Sequence, residues 1–365
     1  WLNLLNNFAI EEINFTGAEM GVLQSLREVP GFLAFTVIFV LAFIKEQKLA
    51  YISLAMLGAG IVLTGFVETN LTFYLATIIM SIGFHYFETI NGSLTLQWID
   101  KDKTAEFLGR VIATRSAASI IAFSFVWVLF QHFQLSYMWL YTLGGGVAVL
   151  IVLFCWQSFP LFPEKVTQTK KIILRKRYWL YYALQFMSGA RRQIFVVFAG
   201  FLMVEKFEFT VAEISMLLIA NAAINVVFAP KIGRLIQRFG ERKSLIFEYI
   251  GLSLIFAGYA FVESSHFAVF LYIADHLFFS IAIALKTYFQ KIADPADIAS
   301  SSGVSFTINH IAAVFIPVAF GLVWLSSPSL VFLAGSGMAI VSLILALNMP
   351  SKPAFGNEVL LGKFS

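Results

Sequence analysis

Charged side chains are scarce in this chain of 365 residues, since only 13% are Asp, Glu, Lys or Arg and only five residues are His. Apolar residues make up 59% of the sequence, and 40 residues are Phe. A water-soluble fold does not have enough interior to hide that much apolar surface. The composition therefore indicates an integral membrane protein.

Several kinds of chemistry lack the residues they need. Cys155 is the single cysteine, which excludes an internal disulfide and a thiolate metal site. The five His residues are dispersed, without His-x-x-x-His spacing. The sequence has neither a glycine-rich phosphate loop with its Lys nor a Gly-x-Ser-x-Gly nucleophile motif. We therefore expect no catalytic residues, no metal and no cofactor, and neither an enzyme nor an ATP-driven pump.

Long apolar segments recur along the whole chain. Each approaches or exceeds the roughly 20 residues that a helix needs to cross a bilayer, and all are too long for strands. The sequence therefore predicts an all-α membrane protein with eleven complete spans. We place these spans at 21–44, 49–67, 71–98, 108–131, 136–158, 178–203, 212–230, 244–262, 267–290, 302–325 and 329–348.

Basic residues are concentrated in alternate connections between the spans. They occur at 45–48, 101–103, 165–177, 231–243, 291 and 352–363, whereas the other connections carry only Lys206. By the positive-inside rule, the basic connections and the C-terminus are cytoplasmic in a plasma membrane, most simply a bacterial inner membrane. The net charge of +4 then needs no nucleic-acid partner. We expect 159–177 to be a solvated connector, with a short amphipathic helix at Val166 to Arg177 as the alternative.

An internal repeat relates the two halves of the chain. A constant offset of 194 residues lays 11–19 over 205–213 and pairs Gly109 with Gly303. Two parallel copies of a six-helix unit would explain this repeat. The repeat predicts that 1–9 are the outer half of a first helix whose inner half precedes the sequence. The predicted divisions are an N-terminal bundle at 1–158, a linker at 159–177, a C-terminal bundle at 178–348 and a cytoplasmic tail at 349–365.

A short basic run, GRLIQRFGERK at 233–243, separates two apolar segments. It resembles the G-x-L-x-D-x-x-G-R-[KR]-[KR] loop signature of the major facilitator superfamily of membrane transporters. Gln237 stands where the family usually has an acid, and Glu241 where it often has Arg. The resemblance implies two six-helix halves that expose a central site alternately to each side. It also implies a gating loop, whose residues here are Gly233, Arg234, Arg238, Gly240, Arg242 and Lys243.

Ionisable residues inside the spans are the candidates for proton coupling. Such a residue costs at least about 2.5 kcal/mol at the bilayer centre, so it usually faces a cavity or a partner. Carboxylates and imidazoles suit reversible proton binding, although each could instead belong to a structural hydrogen-bond pair. The candidates are Asp275, Glu88, His85, His276 and Glu28. Glu248 lies only one turn inside its span, from where its side chain could reach the cytoplasmic interface.

Other polar side chains in the spans are candidates for binding the solute. Arg191 and Arg192 are adjacent at mid-depth, where at least one could hold a carboxylate or a phosphate. An ion pair of one of them with Glu28 or Asp275 is the structural alternative. The full candidate set for solute binding is Arg191, Arg192, Gln185, Asn221, Asn225, Asn309 and Arg115.

The function that these features favour is secondary active transport of a small polar solute, anionic or zwitterionic, coupled to protons by symport or antiport. We expect a monomer in a lipid bilayer. Two alternatives stay open on the same fold. One is an efflux antiporter for drugs or amphiphiles, and the other is a non-transporting membrane receptor or assembly partner.

Overall fold

The computed structural model describes residues 1–15, 17–163, 165–209 and 211–363. Its described residues form α-helices with no named strand. The helices are α1 (Leu2–Glu11), α2 (Gly17–Phe32), α3 (Val37–Leu41), α4 (Glu46–Thr64), α5 (Asn70–Trp98), α6 (Thr104–Gln131), α7 (Tyr137–Ser158), α8 (Trp179–Gln193), α9 (Gly200–Glu205), α10 (Val211–Phe239), α11 (Glu241–Ala260), α12 (Ser265–Phe279), α13 (Ile283–Ile292), α14 (Ile298–Ser326) and α15 (Pro328–Leu347).

Ten helical segments within the described residues are long and apolar enough to cross a membrane, or eleven if one bent pair counts as a span. The bent pair is Val22–Phe32 followed by Ala34–Leu41, at an angle of 40°. Pro30 lies inside the first of these helices, and it removes a backbone donor where the chain bends. The all-α membrane fold predicted from the sequence is confirmed, and the predicted span at 21–44 is this bent pair.

The chain divides into two compact units. Unit 1 contains Trp1–Thr95, Ile121–Ile173 and Ala296–Thr307, and unit 2 contains Leu96–Ile120, Leu174–Pro295 and Ile308–Ser365. Each unit therefore includes one segment from the other half of the sequence. The domain boundaries expected at 158 and 178 stay a prediction.

An aromatic cluster near the N-terminus belongs to the core of unit 1. Phe8 of α1 is 3% exposed, and its ring lies 5.2 Å from Tyr141 and 5.4 Å from Phe73. Both contacts are edge-to-face, the arrangement that aromatic quadrupoles favour. Helix α1 is therefore anchored by its apolar face, and the prediction that 1–9 are helical is confirmed for Leu2 onward.

Unit 2 is built around the contact between α11 and α15. Phe256 and Phe332 are fully buried there, and Tyr259 stacks on Phe332 with ring centroids 5.0 Å apart.

Elsewhere in the unit, α6 and α10 approach backbone to backbone. A Cβ on Gly109 would lie 2.3 Å from the Ala229 carbonyl oxygen, so only glycine fits at that contact.

The predicted loop at 233–243 is wrong in its extent, because almost all of it is helical. Helix α10 continues through Phe239 and α11 begins at Glu241, so the turn between them is Gly240 alone. Gly240 has a φ of +85°, which a side chain would strain. Gly233 does not break α10, since its missing side chain makes room for the Ala105 carbonyl oxygen, 2.4 Å from where a Cβ would stand.

The alternative of an amphipathic helix at Val166 to Arg177 is also wrong for the described residues. Within that stretch, helical structure begins only with a short 3-10 turn at Lys176–Tyr178. The chain before it is extended, and within unit 1 it bonds to α14 and to the short turn that precedes α14. The Thr169 amide donates to the Ala296 carbonyl oxygen at 2.8 Å, and the Ile173 amide donates to Ser300 Oγ at the same distance. These external partners replace the bonds that a helix would make within itself.

Candidate functional site

Three ionisable side chains meet in the interior of unit 2. Arg191 on α8, Glu248 on α11 and Asp275 on α12 have relative exposures of 0%, 1% and 0%. Arg191 Nη2 lies 3.9 Å from Glu248 Oε1. Asp275 is close enough to both side chains to interact with them electrostatically. We call Arg191, Glu248 and Asp275 the charge cluster.

The guanidinium of Arg191 also contacts one residue on α15 and a second residue on α11. Its Nη1 donates a hydrogen bond to Ser342 Oγ on α15. Its central carbon lies 4.5 Å from the centroid of the Tyr249 ring on α11, a cation–π contact. The cation is therefore held by packing as well as by charge, so Arg191 has little freedom to leave the cluster.

The cluster is poorly satisfied by hydrogen bonds. Among the described residues, the two carboxyl oxygens of Asp275 have no hydrogen-bond partner, and Oε2 of Glu248 has none. Nε and Nη2 of Arg191 are unsatisfied in the same sense. A purely structural buried ion pair normally gains hydrogen bonds that repay its desolvation. The charge cluster lacks these hydrogen bonds among the described residues. Such a deficit is typical of a site that binds a ligand or changes its protonation state.

Two of the helices that carry the cluster are irregular beside it. Helix α8 gives way to a π-helix at Ile194–Ala199, three residues after Arg191. Helix α12 gives way to a 3-10 segment at Ser280–Ala282. Such interruptions in long helices often mark functional sites or hinges. The backbone irregularity and the buried charges therefore coincide.

The expectation that Glu248 reaches the cytoplasmic interface is wrong. Glu248 is the eighth residue of α11, and its side chain points towards Arg191 rather than along the helix to water. The sequence did carry a signal, since an acid in an apolar helix is costly and needs a partner. Tyr249 and Ser342 offered no such signal, because an aromatic or hydroxyl residue is ordinary in a membrane helix.

Several predicted solute-binding residues are also in unit 2, and the structure brings some of them together. Asn309 Nδ2 lies 3.5 Å from the Gln185 carbonyl oxygen, next to Gly189, where a Cβ would stand 2.5 Å from the Asn309 carbonyl oxygen. Asn225 Oδ1 accepts a hydrogen bond from Ser280 Oγ at 3.1 Å.

The other predicted residues of unit 2 differ in burial. Asn221 is 2% exposed, and its amide oxygen and nitrogen have no hydrogen-bond partner within the described part of the chain. Arg192 and Arg115 are exposed. His276 is half-buried against the Phe195 ring at 5.9 Å. Asn221 is thus a buried amide whose two polar atoms make no hydrogen bond among the described residues.

Two of the predicted polar residues of unit 1 contact residues close to them in sequence. His85 is 3% exposed, and its Nδ1 lies 2.9 Å from the Ser81 carbonyl oxygen and 3.0 Å from Ser81 Oγ. Glu28 pairs with its neighbour Arg27 at 2.7 Å. Glu88 is half-buried. A carboxylate oxygen of Glu28 lies within 4.8 Å of a ring nitrogen of His85. The Arg27–Glu28 pair beside this imidazole is half-buried, whereas the charge cluster of unit 2 is fully buried.

The basic run at 233–243 contacts helix ends within unit 2. Arg242 Nη2 donates to the Leu347 carbonyl oxygen in the last turn of α15 at 2.9 Å. Glu241 is 3% exposed and pairs with Lys291 at 2.6 Å. Nearby, partial burial and the ammonium of Lys291 lower the pKa of Lys101. The acid at Glu241 thus joins the start of α11 to the end of α13.

The sequence matches a family model over nearly its whole length. Residues 2–317 fit the model described as Major Facilitator Superfamily. The chain belongs to the Major Facilitator Superfamily. The superfamily resemblance carried by residues 233–243 is thereby confirmed. No curated protein matches the chain in sequence.

Solved structures share the fold at low sequence identity. The superfamily transporter FucP in its outward conformation has a TM-score of 0.76 at 14% identity, with 94% of each chain covered. A second structure of FucP, described as the E. coli fucose:proton symporter, has a TM-score of 0.74 at 15% identity, with the same coverage. The human organic anion transporter TETRAN gives 0.68 at 13% identity, covering 89% of this chain and 83% of its own. At these identities the likeness concerns the fold.

Proposed function

We propose that this member of the superfamily is a secondary active transporter that moves a small polar solute by alternating access and couples the movement to protons. The observation that carries the proposal is the charge cluster, which contains one cation and two carboxyl groups, all buried. We also propose that the solute is anionic or zwitterionic. The protein would act as a monomer in the plasma membrane, with its C-terminus on the cytoplasmic side.

Counting charges in the cluster leads to a bound proton. Arg191 stays positively charged, because a guanidinium does not deprotonate in proteins. One ionised carboxylate neutralises it. A second ionised carboxylate would leave a net negative charge in a medium of low dielectric constant, and the usual outcome is protonation of that carboxyl group. Asp275 and Glu248 together therefore hold one proton at neutral pH.

A proton held in this way can be exchanged when the surroundings change. Any movement that hydrates the cluster changes the cost of burying its charges and with it the proton occupancy. Alternating access supplies such a movement in transporters of this type. Asp275 is the first candidate for the coupling residue because none of its oxygens is otherwise engaged among the described residues. Glu88 is the next candidate, ahead of His85, His276 and Glu28.

The solute site is proposed on the residues of α8, α10 and α14 that offer polar groups. Asn221 presents an amide without a hydrogen-bond partner in the described regions, and Asn225 lies one turn further along α10. Gln185 and Asn309 are close to each other. Arg192 and Arg115 supply exposed positive charge, which favours an anionic or zwitterionic solute. The names of FucP and TETRAN, a fucose symporter and an organic anion transporter, agree with a polar solute.

Solute flux in proteoliposomes tests the proposal. A pool of labelled sugars, carboxylates and amino acids is offered to the full chain with an imposed proton gradient, inside acidic or outside acidic. We expect accumulation of at least one polar solute in one gradient direction, and loss of that accumulation when an uncoupler is added. A protein that moves no solute from the pool in either direction, or that moves only lipophilic cations, would contradict it.

A further inference from the structure

An apolar groove of about 550 Å³ lies on unit 2 where α10, α11 and α12 meet. Aromatic and aliphatic side chains line it, and many of them are exposed. Phe228 is 42% exposed, Phe239 52% and Phe247 60%. The Phe247 ring stacks on Phe278 at 5.2 Å to form one wall. A groove of this composition is suited to a hydrocarbon chain.

Three cations surround this groove. Lys243 is itself part of the lining. Lys231 Nζ lies 5.1 Å from the centroid of the Phe228 ring, and the guanidinium carbon of Arg238 lies 5.7 Å from that of Phe239. None of the three cations has a carboxylate within ion-pair distance in the part of the chain that the structure describes. The rim of the groove therefore carries uncompensated positive charge beside an apolar interior.

The position of the cations along the helices matches the level of lipid headgroups. Lys243 and Arg238 flank the Gly240 turn that joins α10 to α11, so these two cations lie at the end of the spans, and the apolar lining extends from there into them. Lys231 lies further along α10, nine residues before the turn. The basic connection at 231–243 is on the side that the positive-inside rule assigns to the cytoplasm. Basic pockets between membrane helices at this depth attract anionic lipid headgroups.

We propose that this groove binds an anionic phospholipid of the cytoplasmic leaflet, with one acyl chain between α10, α11 and α12 and the phosphate against Lys243. Lys231 and Arg238 add electrostatic attraction for the headgroup. Their aliphatic side-chain carbons would lie along the Phe228 and Phe239 rings, below the headgroup. The lipid would cover the one turn that connects α10 to α11. The site does not depend on which solute the protein carries or on proton coupling.

A second groove offers an internal comparison. It lies on unit 1, has a volume of about 240 Å³, and is lined by Leu26, Val29, Pro30, Leu33, Ile78 and Tyr86 among others. No lysine or arginine belongs to its lining. An acyl chain can enter either groove, but only the groove on unit 2 distinguishes headgroups by charge.

Photo-crosslinking tests the proposal on the full chain in nanodiscs. The probes are phosphatidylglycerol and phosphatidylcholine with the same diazirine-bearing acyl chain, and labelled peptides are located by mass spectrometry. We expect phosphatidylglycerol to label 228–247 and 277–281 at least about fivefold more than phosphatidylcholine, since one cation near the membrane surface contributes about that factor. Lys243→Gln should lower this ratio about fivefold, and Lys243→Gln with Arg238→Gln should lower it further.

Matched controls separate the site from general attraction to basic surfaces. Lys352→Gln removes the same charge from an exposed position outside the groove and should leave the ratio unchanged. The groove on unit 1 should be labelled equally by both lipids. Equal labelling of the unit 2 groove by both probes would overturn the proposal, as would a ratio that falls equally for Lys352→Gln and Lys243→Gln. Leu277→Trp, which fills the groove without changing charge, should reduce labelling by both lipids, and undiminished labelling would place the chain elsewhere.

Discussion

The two units bury polar groups in different ways. In unit 1, His85 is held by the backbone carbonyl and the hydroxyl of Ser81, one helical turn away on the same helix. In unit 2, the charge cluster gathers its members from three helices, and many of its polar atoms have no hydrogen-bond partner among the described residues. A satisfied imidazole stabilises the helix that carries it. An unsatisfied group of charges costs free energy, and its retention points to function.

Removing the cation of the cluster should have the largest effect on stability. Arg191→Met keeps much of the side-chain length but leaves two buried carboxyl groups without a counter-charge. We expect a loss of about 3–5 kcal/mol in the free energy of unfolding at neutral pH. The measurement is thermal unfolding of the purified protein in detergent. Arg192→Met is the matched control, because Arg192 is exposed and should lose little.

The same variant should respond to pH in a definite direction. The proposed shared proton means that the folded wild type binds one proton at Glu248 and Asp275 near neutral pH. We then expect folded Arg191→Met to bind two protons at these groups and the unfolded chain to bind none. A folded state that binds more protons gains stability as pH falls, and the extra proton makes the dependence steeper by about 1.4 kcal/mol per pH unit. Tyr249, Tyr259, Tyr272 and His276 are the other titratable groups around the cluster. A pH dependence as shallow as that of the wild type would contradict the shared proton.

Replacing either carboxyl group should uncouple transport without unfolding the protein. Asp275→Asn and Glu248→Gln each leave one carboxylate to neutralise Arg191, so no exchangeable proton stays in the cluster. Accumulation driven by a proton gradient should fall at least about tenfold, while exchange of solute at equilibrium survives. Glu68→Gln is the control in unit 1, because Glu68 is an exposed acid outside the candidate sites. Loss of exchange together with accumulation in both cluster variants would mark the cluster as structural.

Packing near the proposed solute site should be the next most sensitive feature of unit 2. Gly189→Ala would place a Cβ 2.5 Å from the Asn309 carbonyl oxygen, so α8 and α14 must move apart. Overpacking of this kind costs about 1–3 kcal/mol, and we expect weaker solute affinity as well. Gly144→Ala in unit 1 has nothing within 4 Å of the new Cβ and should be neutral or slightly stabilising. Solute-induced thermal shifts in both variants measure the difference.

The smallest effect is expected at His85. His85→Gln keeps a side-chain donor near the Ser81 carbonyl oxygen, and the net contribution of one such hydrogen bond is about 1 kcal/mol. Proton-driven accumulation should stay within about twofold of the wild type, since a satisfied imidazole is not needed for the shared proton. If His85→Gln lost accumulation as completely as Asp275→Asn, the distinction between the two units would fail.

The sequence alone predicted the class of protein, the number of spans and the family. The first two depend on the length of the apolar segments, and the family depends on a short motif. The helical continuation of 233–239 was not predicted, since it depends on contact with a neighbouring helix. The bend within 21–44 was not predicted either, although Pro30 is a local signal for it. Gly233 looked like a loop residue, but its role is to admit the Ala105 carbonyl oxygen. Local composition cannot report such a contact.

The candidate site was partly accessible for a similar reason. Asp275 and Arg191 were singled out because charge inside a span is costly. Glu248 met the same criterion but was assigned to the interface by its distance from the helix end, although the direction of its side chain decides its burial. Tyr249 and Ser342 were missed because only the packing of α8, α11 and α15 brings them to Arg191.

The shared proton can be counted directly by infrared spectroscopy of the purified protein at neutral pH, through the carbonyl stretch of protonated carboxylic acids. The wild type should show a band from one buried acid, Asp275→Asn and Glu248→Gln should each lack it, and Arg191→Met should show it at twice the intensity. This pattern needs no solute and no transport. A wild-type spectrum without the band, or a band that survives both carboxyl substitutions unchanged, would contradict a proton held between Asp275 and Glu248.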